Sequence, residues 1–140
     1  MPRSRGSVEL LAPVEDVWSY LAEPYHLSDW WPGIATVEPD RRGLAAGARW
    51  RVRTSEASLL RRAAAEDTLV GTAAEPETRF AFELARGRVR AELLLAPTGD
   101  GRTRAELHVD EPFSLGFHRG RRAKEALQRL HDLVQTGAAL

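Results

Sequence analysis

The 140-residue sequence contains no cysteine. That absence removes disulfide scaffolds, thiolate zinc sites and thiol nucleophiles together. Net charge is also missing, since 20 Lys and Arg balance 20 Asp and Glu. Non-specific nucleic-acid binding needs a basic surface, so that class is excluded. Long apolar runs are absent too. The longest, Leu93-Leu94-Leu95-Ala96, is far short of the ~20 residues of a membrane span. The basic start, Met1 to Gly6, is not followed by the apolar stretch of a signal peptide. The expectation is a soluble, cytoplasmic protein with no stable membrane insertion. Chemical signatures are equally scarce. There is no GxSxG, P-loop, dinucleotide fingerprint or HExxH, and His26, His108, His118 and His131 are not paired at metal-ligand spacing. No metal and no cofactor is expected, and no residue is assigned a catalytic role.

What remains is an ordinary globular composition, 43% apolar and 29% charged, which excludes disorder. The length suits one domain, residues 1–140, with a radius of gyration of roughly 14 Å. Lysine is nearly absent: Lys124 stands against 19 arginines. The local cluster Arg119, Arg121, Arg122 and Lys124 reads as a solvated helix start, with a weak anion site as the alternative.

Periodicity supplies the architecture. Arg5–Ala12 alternates as a strand, and Pro13 ends it. Val14, Val17, Trp18 and Leu21 fall at helical spacing over Val14–Ala22, with Glu15 and Asp16 in the first turn complementing the dipole. A second short helix is expected over Tyr25–Trp31, stopped by Pro32-Gly33. Strands follow at Ile34–Pro39, Arg49–Ser55, Asp67–Ala74, Arg79–Ala85, Val89–Leu95 and Thr103–Asp110. Ser58–Ala65 lacks period two and reads as a short helix or loop. From about Leu115 to Thr136 the period turns helical, with Ala123, Ala126, Leu127, Leu130, Leu133 and Val134 as the apolar stripe. Arg122, Glu125, Gln128, Arg129 and Asp132 form the opposite face. The fold class is α+β: a curved seven-stranded antiparallel sheet wrapped round a long C-terminal helix, with two short helices after the first strand. Gly116, Gly120 and Ala123 would make the helix thin at its start and leave volume above the sheet.

Two stretches carry a resemblance. Val8 to Trp18, with its apolar strand, Ala-Pro, acidic pair and Val-Trp, resembles the opening of the SRPBCC superfamily, and Leu27-Ser28-Asp29-Trp30-Trp31-Pro32-Gly33 resembles its next segment. The Gly47–Arg53 strand, the Glu75-Pro76 turn and the terminal helix occur in matching order. The resemblance implies the helix-grip fold of START lipid-transfer domains, polyketide cyclases and coenzyme Q-binding proteins, a fold that hosts many activities.

The inward strand positions offer Val, Leu, Ala, Phe and Trp, with Thr54 as the one polar residue among them. Such walls suit a small hydrophobic or aromatic ligand, a lipid or polyketide, bound without covalent chemistry. The expected lining is Trp30, Trp50, Phe80, Phe82, Leu93, Leu107, Phe113, Phe117 and Leu127. Tyr25 and His26 would orient a polar head, and Ser55–Ala65 would act as a gate. Trp18 belongs to the core. Two alternatives stay open. One is a polyketide cyclase or aromatase-like enzyme, which requires a buried titratable group in the cavity. The other is an interaction module resembling heat-shock chaperone activators, which requires an exposed apolar patch such as Leu59-Leu60. Glu83, Glu92, Glu106 and Asp110, with Arg51, Arg53, Arg90 and Arg104, should form a charged lattice on the solvent face.

Overall fold

Alternating side chains need a sheet with one covered face, and the computed structural model has one. It describes residues 3–54, 66–112 and 122–138. The strands are β1 (Arg3–Leu10), β2 (Ile34–Glu38), β3 (Arg49–Thr54), β4 (Glu66–Glu75), β5 (Arg79–Leu84), β6 (Val89–Pro97) and β7 (Thr103–Asp110). They form one curved antiparallel sheet in the order β1-β7-β6-β5-β4-β3-β2. The helices are α1 (Val14–Ala22), α2 (Leu27–Trp30) and α3 (Arg122–Ala138). This is the curved sheet and long helix that the periodicity predicts, and the helix-grip fold that the resemblance implies.

Several boundaries differ for identifiable reasons. β1 begins at Arg3, because Arg3 and Ser4 pair with Asp110 and Val109 across the sheet. The short helix expected over Tyr25–Trp31 is a 3₁₀ turn, Pro24–His26, followed by α2. Pro24 fits a first helical position, and Glu23 accepts a hydrogen bond from the Tyr25 amide at 3.4 Å. The gate at Ser55–Ala65, the start of the last helix at Leu115 with Gly116 and Gly120, and Arg119 and Arg121 lie outside the described residues.

The helix α3 packs on β1 and β7. Gly6 lets it approach, since a Cβ there would sit 3.3 Å from Leu127 Cδ1. Ser4 Oγ accepts the Ala123 amide at 3.3 Å. Leu10, Val52, Leu69, Ala105, Leu107, Ala123, Ala126 and Leu130 are buried in one core. Val17 and Leu21 of α1 are buried with them, while Trp18 packs against the core partly exposed.

The parity of β4 changes along its length. Asp67, Leu69 and Gly71 are buried, and a register shift between Gly71 and Ala73 follows. The β2–β3 connection lies over that irregularity. Gly71 donates to Ala48 O at 2.9 Å, and Gly47 donates to Gly71 O at 2.8 Å. A Cβ on Gly71 would collide with the Ala45 carbonyl.

The charged lattice is on the outer face. Arg3 pairs with Asp110 at 3.0 Å, Arg5 with Glu106 at 3.8 Å, Arg90 with Glu83 at 3.3 Å and Arg79 with Glu92 at 2.6 Å. Arg51 and Arg53 reach Glu38 and Glu66 at 3.5 Å. Exposed pairs of this kind each contribute at most ~1 kcal/mol, so the lattice shapes the surface more than the stability.

Candidate functional site

The inward aromatic side chains form a continuous chain. Trp30 meets Trp31 edge-on at 5.7 Å, Trp31 meets Phe82 at 5.1 Å, Phe82 meets Phe80 at 5.3 Å, and Phe80 meets Trp50 at 6.2 Å. Trp50 Nε1 donates to Gly43 O at 3.1 Å, so the indole is fixed by the β2–β3 connection.

Trp31, one step from an end of this chain, opens on a cleft. Trp31, Pro32, Gly33 and Ile34 make one wall, where Gly33 takes the left-handed φ of 94° that turns α2 into β2. Leu84, Gly87 and Val89 of the β5–β6 hairpin make the opposite wall. Glu111, Pro112 and Arg122 close the end, beside Thr54 and Asp67. The volume is about 140 Å³, and a cavity of roughly 150 Å³ is enough to take benzene.

The cleft holds charge where periodicity places none. Arg122, expected on the outward face of the helix, has a side chain only 11% exposed, and Glu111 beside it is 13% exposed. Arg122 Nε donates to Glu111 Oε2 at 2.8 Å, and its Nη1 donates to Pro32 O at 2.6 Å. The pair thus ties α3, the end of β7 and the α2–β2 turn together. Asp67 is 7% exposed. Its Oδ1 accepts the Thr68 and Arg86 amides, both at 2.7 Å, and its Oδ2 accepts the Gly87 amide at 2.8 Å. The carboxylate therefore holds the β5–β6 turn against β4. The interior face is not free of titratable groups, and Thr54 is not its one polar member.

The candidate lining is divided by the structure. Trp30, Trp50, Phe80, Phe82, Leu93, Leu107 and Leu127 are brought together in the core, each 3% exposed or less. They support the cleft from beneath, through the Trp31–Phe82 contact, and do not form its walls. Phe113 and Phe117 lie outside the described residues. Tyr25 and His26 are not at the cleft. Tyr25 is 61% exposed. The His26 ring stacks on Tyr20 at 4.1 Å, and its Nδ1 donates to the Tyr20 carbonyl at 2.7 Å. Burial, with Asp29 nearby, pushes the Tyr20 hydroxyl up to about 12. His108 faces out and bonds Glu106 at 3.0 Å. Among the described residues, no group of three His, Asp or Glu could hold a metal.

A larger groove, about 490 Å³, crosses the outer face between Arg3, Glu83, Arg90, Glu92, His108 and Asp110. Its walls mix the paired charges of the lattice with Ala81, Phe82, Ala91 and Val109, so an apolar ligand there would lie beside charges. The apolar cleft over the aromatic chain is the better candidate.

Comparison with known families agrees with this fold. Residues 1–135 match the model of polyketide cyclase / dehydrase and lipid transport proteins. The chain belongs to that family. Among solved structures, protein NE0264 from Nitrosomonas europaea is similar, with 20% identity and a TM-score of 0.74 over 99% of this chain and 97% of that one. DR_A0006 from Deinococcus radiodurans is 19% identical, with a TM-score of 0.73 over 96% and 98%. TTHA0849 from Thermus thermophilus is 17% identical, with a TM-score of 0.72 over 98% and 99%. At these identities the likeness concerns the fold. Comparison with curated proteins finds no match. As a member of the polyketide cyclase / dehydrase and lipid transport family, the chain has a fold consistent with hydrophobic ligand binding. No helix among its described residues is long and apolar enough to cross a membrane.

Proposed function

We propose that this protein binds a small hydrophobic or aromatic molecule non-covalently and acts as a cytoplasmic carrier or sensor. The observation that carries the reading is the apolar cleft at one end of the sheet, underlaid by Trp31 and Phe82. Family membership supports it. A two-ring ligand burying ~200 Å² gains roughly 5 kcal/mol at ~25 cal/mol per Å², which corresponds to binding at around 0.1–1 mM. Larger lipids or polyketides would bury more. The test is native mass spectrometry of freshly purified protein, with thermal shift against a panel of lipids and polyketides. A co-purifying small molecule, or a shift that grows with ligand concentration, is the expected result. Neither appearing would end the carrier reading.

A second reading, cyclase-like catalysis, is favoured by one observation. Two carboxylates, the buried Asp67 and the partly buried Glu111, stand at the cleft, where acid–base chemistry would need one. In that case Glu111→Gln would abolish turnover of a polyketone while leaving its binding intact.

A further inference from the structure

Charged side chains stand around the cleft. Its described lining has three charged side chains, Asp67, Glu111 and Arg122. Two are carboxylates and one is a guanidinium, so the described lining carries an excess of negative charge. The cation is already engaged, by Glu111 Oε2 at 2.8 Å and by the Pro32 carbonyl at 2.6 Å. A carboxylate or phosphate ligand would therefore compete with Glu111 for Arg122 while facing two acid groups in an apolar setting. Such like-charge contacts are costly where water is excluded.

Among the described residues, acceptor capacity is left over. A carboxylate oxygen takes two hydrogen bonds. Glu111 uses Oε2 for Arg122, and no hydrogen bond among the described residues reaches its Oε1. Asp67 Oδ1 has two donors, but Oδ2 has one, the amide of Gly87, which itself lines the cleft. The remaining walls, Trp31, Ile34, Leu84 and Val89 among them, offer apolar contact.

We infer that the cleft selects a neutral, compact apolar molecule carrying a hydrogen-bond donor, a phenol or alcohol, and rejects anionic amphiphiles such as fatty acids. The donor would be taken by Glu111 Oε1 or Asp67 Oδ2. This rests on the carrier reading and narrows it to one ligand chemistry. A ligand without the donor would cover one of these oxygens without meeting it, and a negative charge on the ligand would sit beside two carboxylates.

The test compares three probes of one shape: 2-naphthol, 2-methoxynaphthalene and 2-naphthoate, titrated by calorimetry against the intact protein at pH 7.5. Naphthol is expected to bind about tenfold more tightly than its methyl ether, the scale of one unmet buried acceptor. Naphthoate is expected to bind most weakly. Equal or tighter binding of naphthoate would overturn the inference and leave the carrier reading standing. Failure of all three to bind would overturn the inference, while the carrier reading stands or falls by co-purification and the lipid and polyketide panel. In Glu111→Gln, which keeps an oxygen for Arg122, the penalty on naphthoate should shrink several-fold. An unchanged penalty in the folded variant would count against Glu111 as the discriminating group. The probe ranking in the unaltered protein decides the matter if that variant does not fold.

Discussion

The ion pair between Arg122 and Glu111 is the most consequential contact at the cleft, and its energetics should be asymmetric. Arg122→Met removes the donor at 2.8 Å from Glu111 and the donor at 2.6 Å from Pro32 O. Removing one partner of a buried pair costs about 3–5 kcal/mol, because the other charge is left without compensation. Both side chains keep roughly a tenth of their surface in water, so the low end applies, ~3 kcal/mol. The lost Pro32 bond adds about 1 kcal/mol. Glu111→Leu should cost less, ~2–3 kcal/mol, since Arg122 keeps the Pro32 carbonyl. In the double variant no charge is stranded, and replacing a buried pair by apolar side chains is often close to neutral. We expect it to lose at least about 3 kcal/mol less than the sum of the singles, at or beyond the upper range of measured couplings. Urea unfolding gives each value by linear extrapolation, provided the slope m is shared. The Arg122→Met transition should fall by roughly 10 °C on heating. Single effects that add within about 0.5 kcal/mol would refute the reasoning, because the two side chains would then not act as one buried unit.

Three further outcomes follow from the geometry. Gly71→Ala should cost about 2 kcal/mol in urea unfolding, because its methyl meets the Ala45 carbonyl and the β2–β3 connection must move; a change under about 0.5 kcal/mol would contradict this. Asp40 is held below the ordinary carboxylate range, chiefly by the Arg49 amide and also by that of Arg42. A depressed folded value contributes stability above the unfolded value that is lost as pH falls. Asp40→Asn should therefore be less stable than the parent at pH 7, with the two curves converging in acid; parallel curves would rule this out. Tyr20, pushed up to about 12 by burial and Asp29, should ionise late in a spectrophotometric titration. Its raised value makes the folded state lose stability as pH climbs from about 10 towards 12. Tyr20→Phe should flatten that loss, and an unaltered alkaline slope would show that Tyr20 is not its source.

Much of the sheet is legible in the sequence because half-buried strands impose period two, as at Arg49–Thr54 and Thr103–Asp110. The inward face of β4 is not, because Asp67 to Ala74 mixes small and polar residues and shifts register at Gly71. The charged end of the cleft escapes periodicity although two signals for it exist. Glu111 continues the inward parity of Thr103, Ala105, Leu107 and Val109 by one more step. Arg122 stands one helical turn before Ala126, on the buried stripe rather than opposite it. A strand that ends at Asp110 and an arginine within a run of basic residues disguise both. The aromatic positions point inward as periodicity demands, but periodicity cannot say whether rings pack on one another or stand apart. Here Trp31, which is absent from the expected lining, joins the core rings to the cleft.

The order of the strands also bears on how the chain acquires its fold. From β2 to β7 each strand pairs with its neighbour in sequence, so five hairpins can form by local search. The β1–β7 ladder is different, since it joins Leu10 to Thr103 and Arg3 to Asp110. Closing a loop of about 90 residues costs ~2 kcal/mol more than closing one of about 10. The ladder is repaid only once α3 lies on β1, with Gly6 beneath Leu127. Docking of the first strand is therefore a late event in folding. Until it happens β7 is an open edge, the point at which a half-formed molecule could pair with another copy.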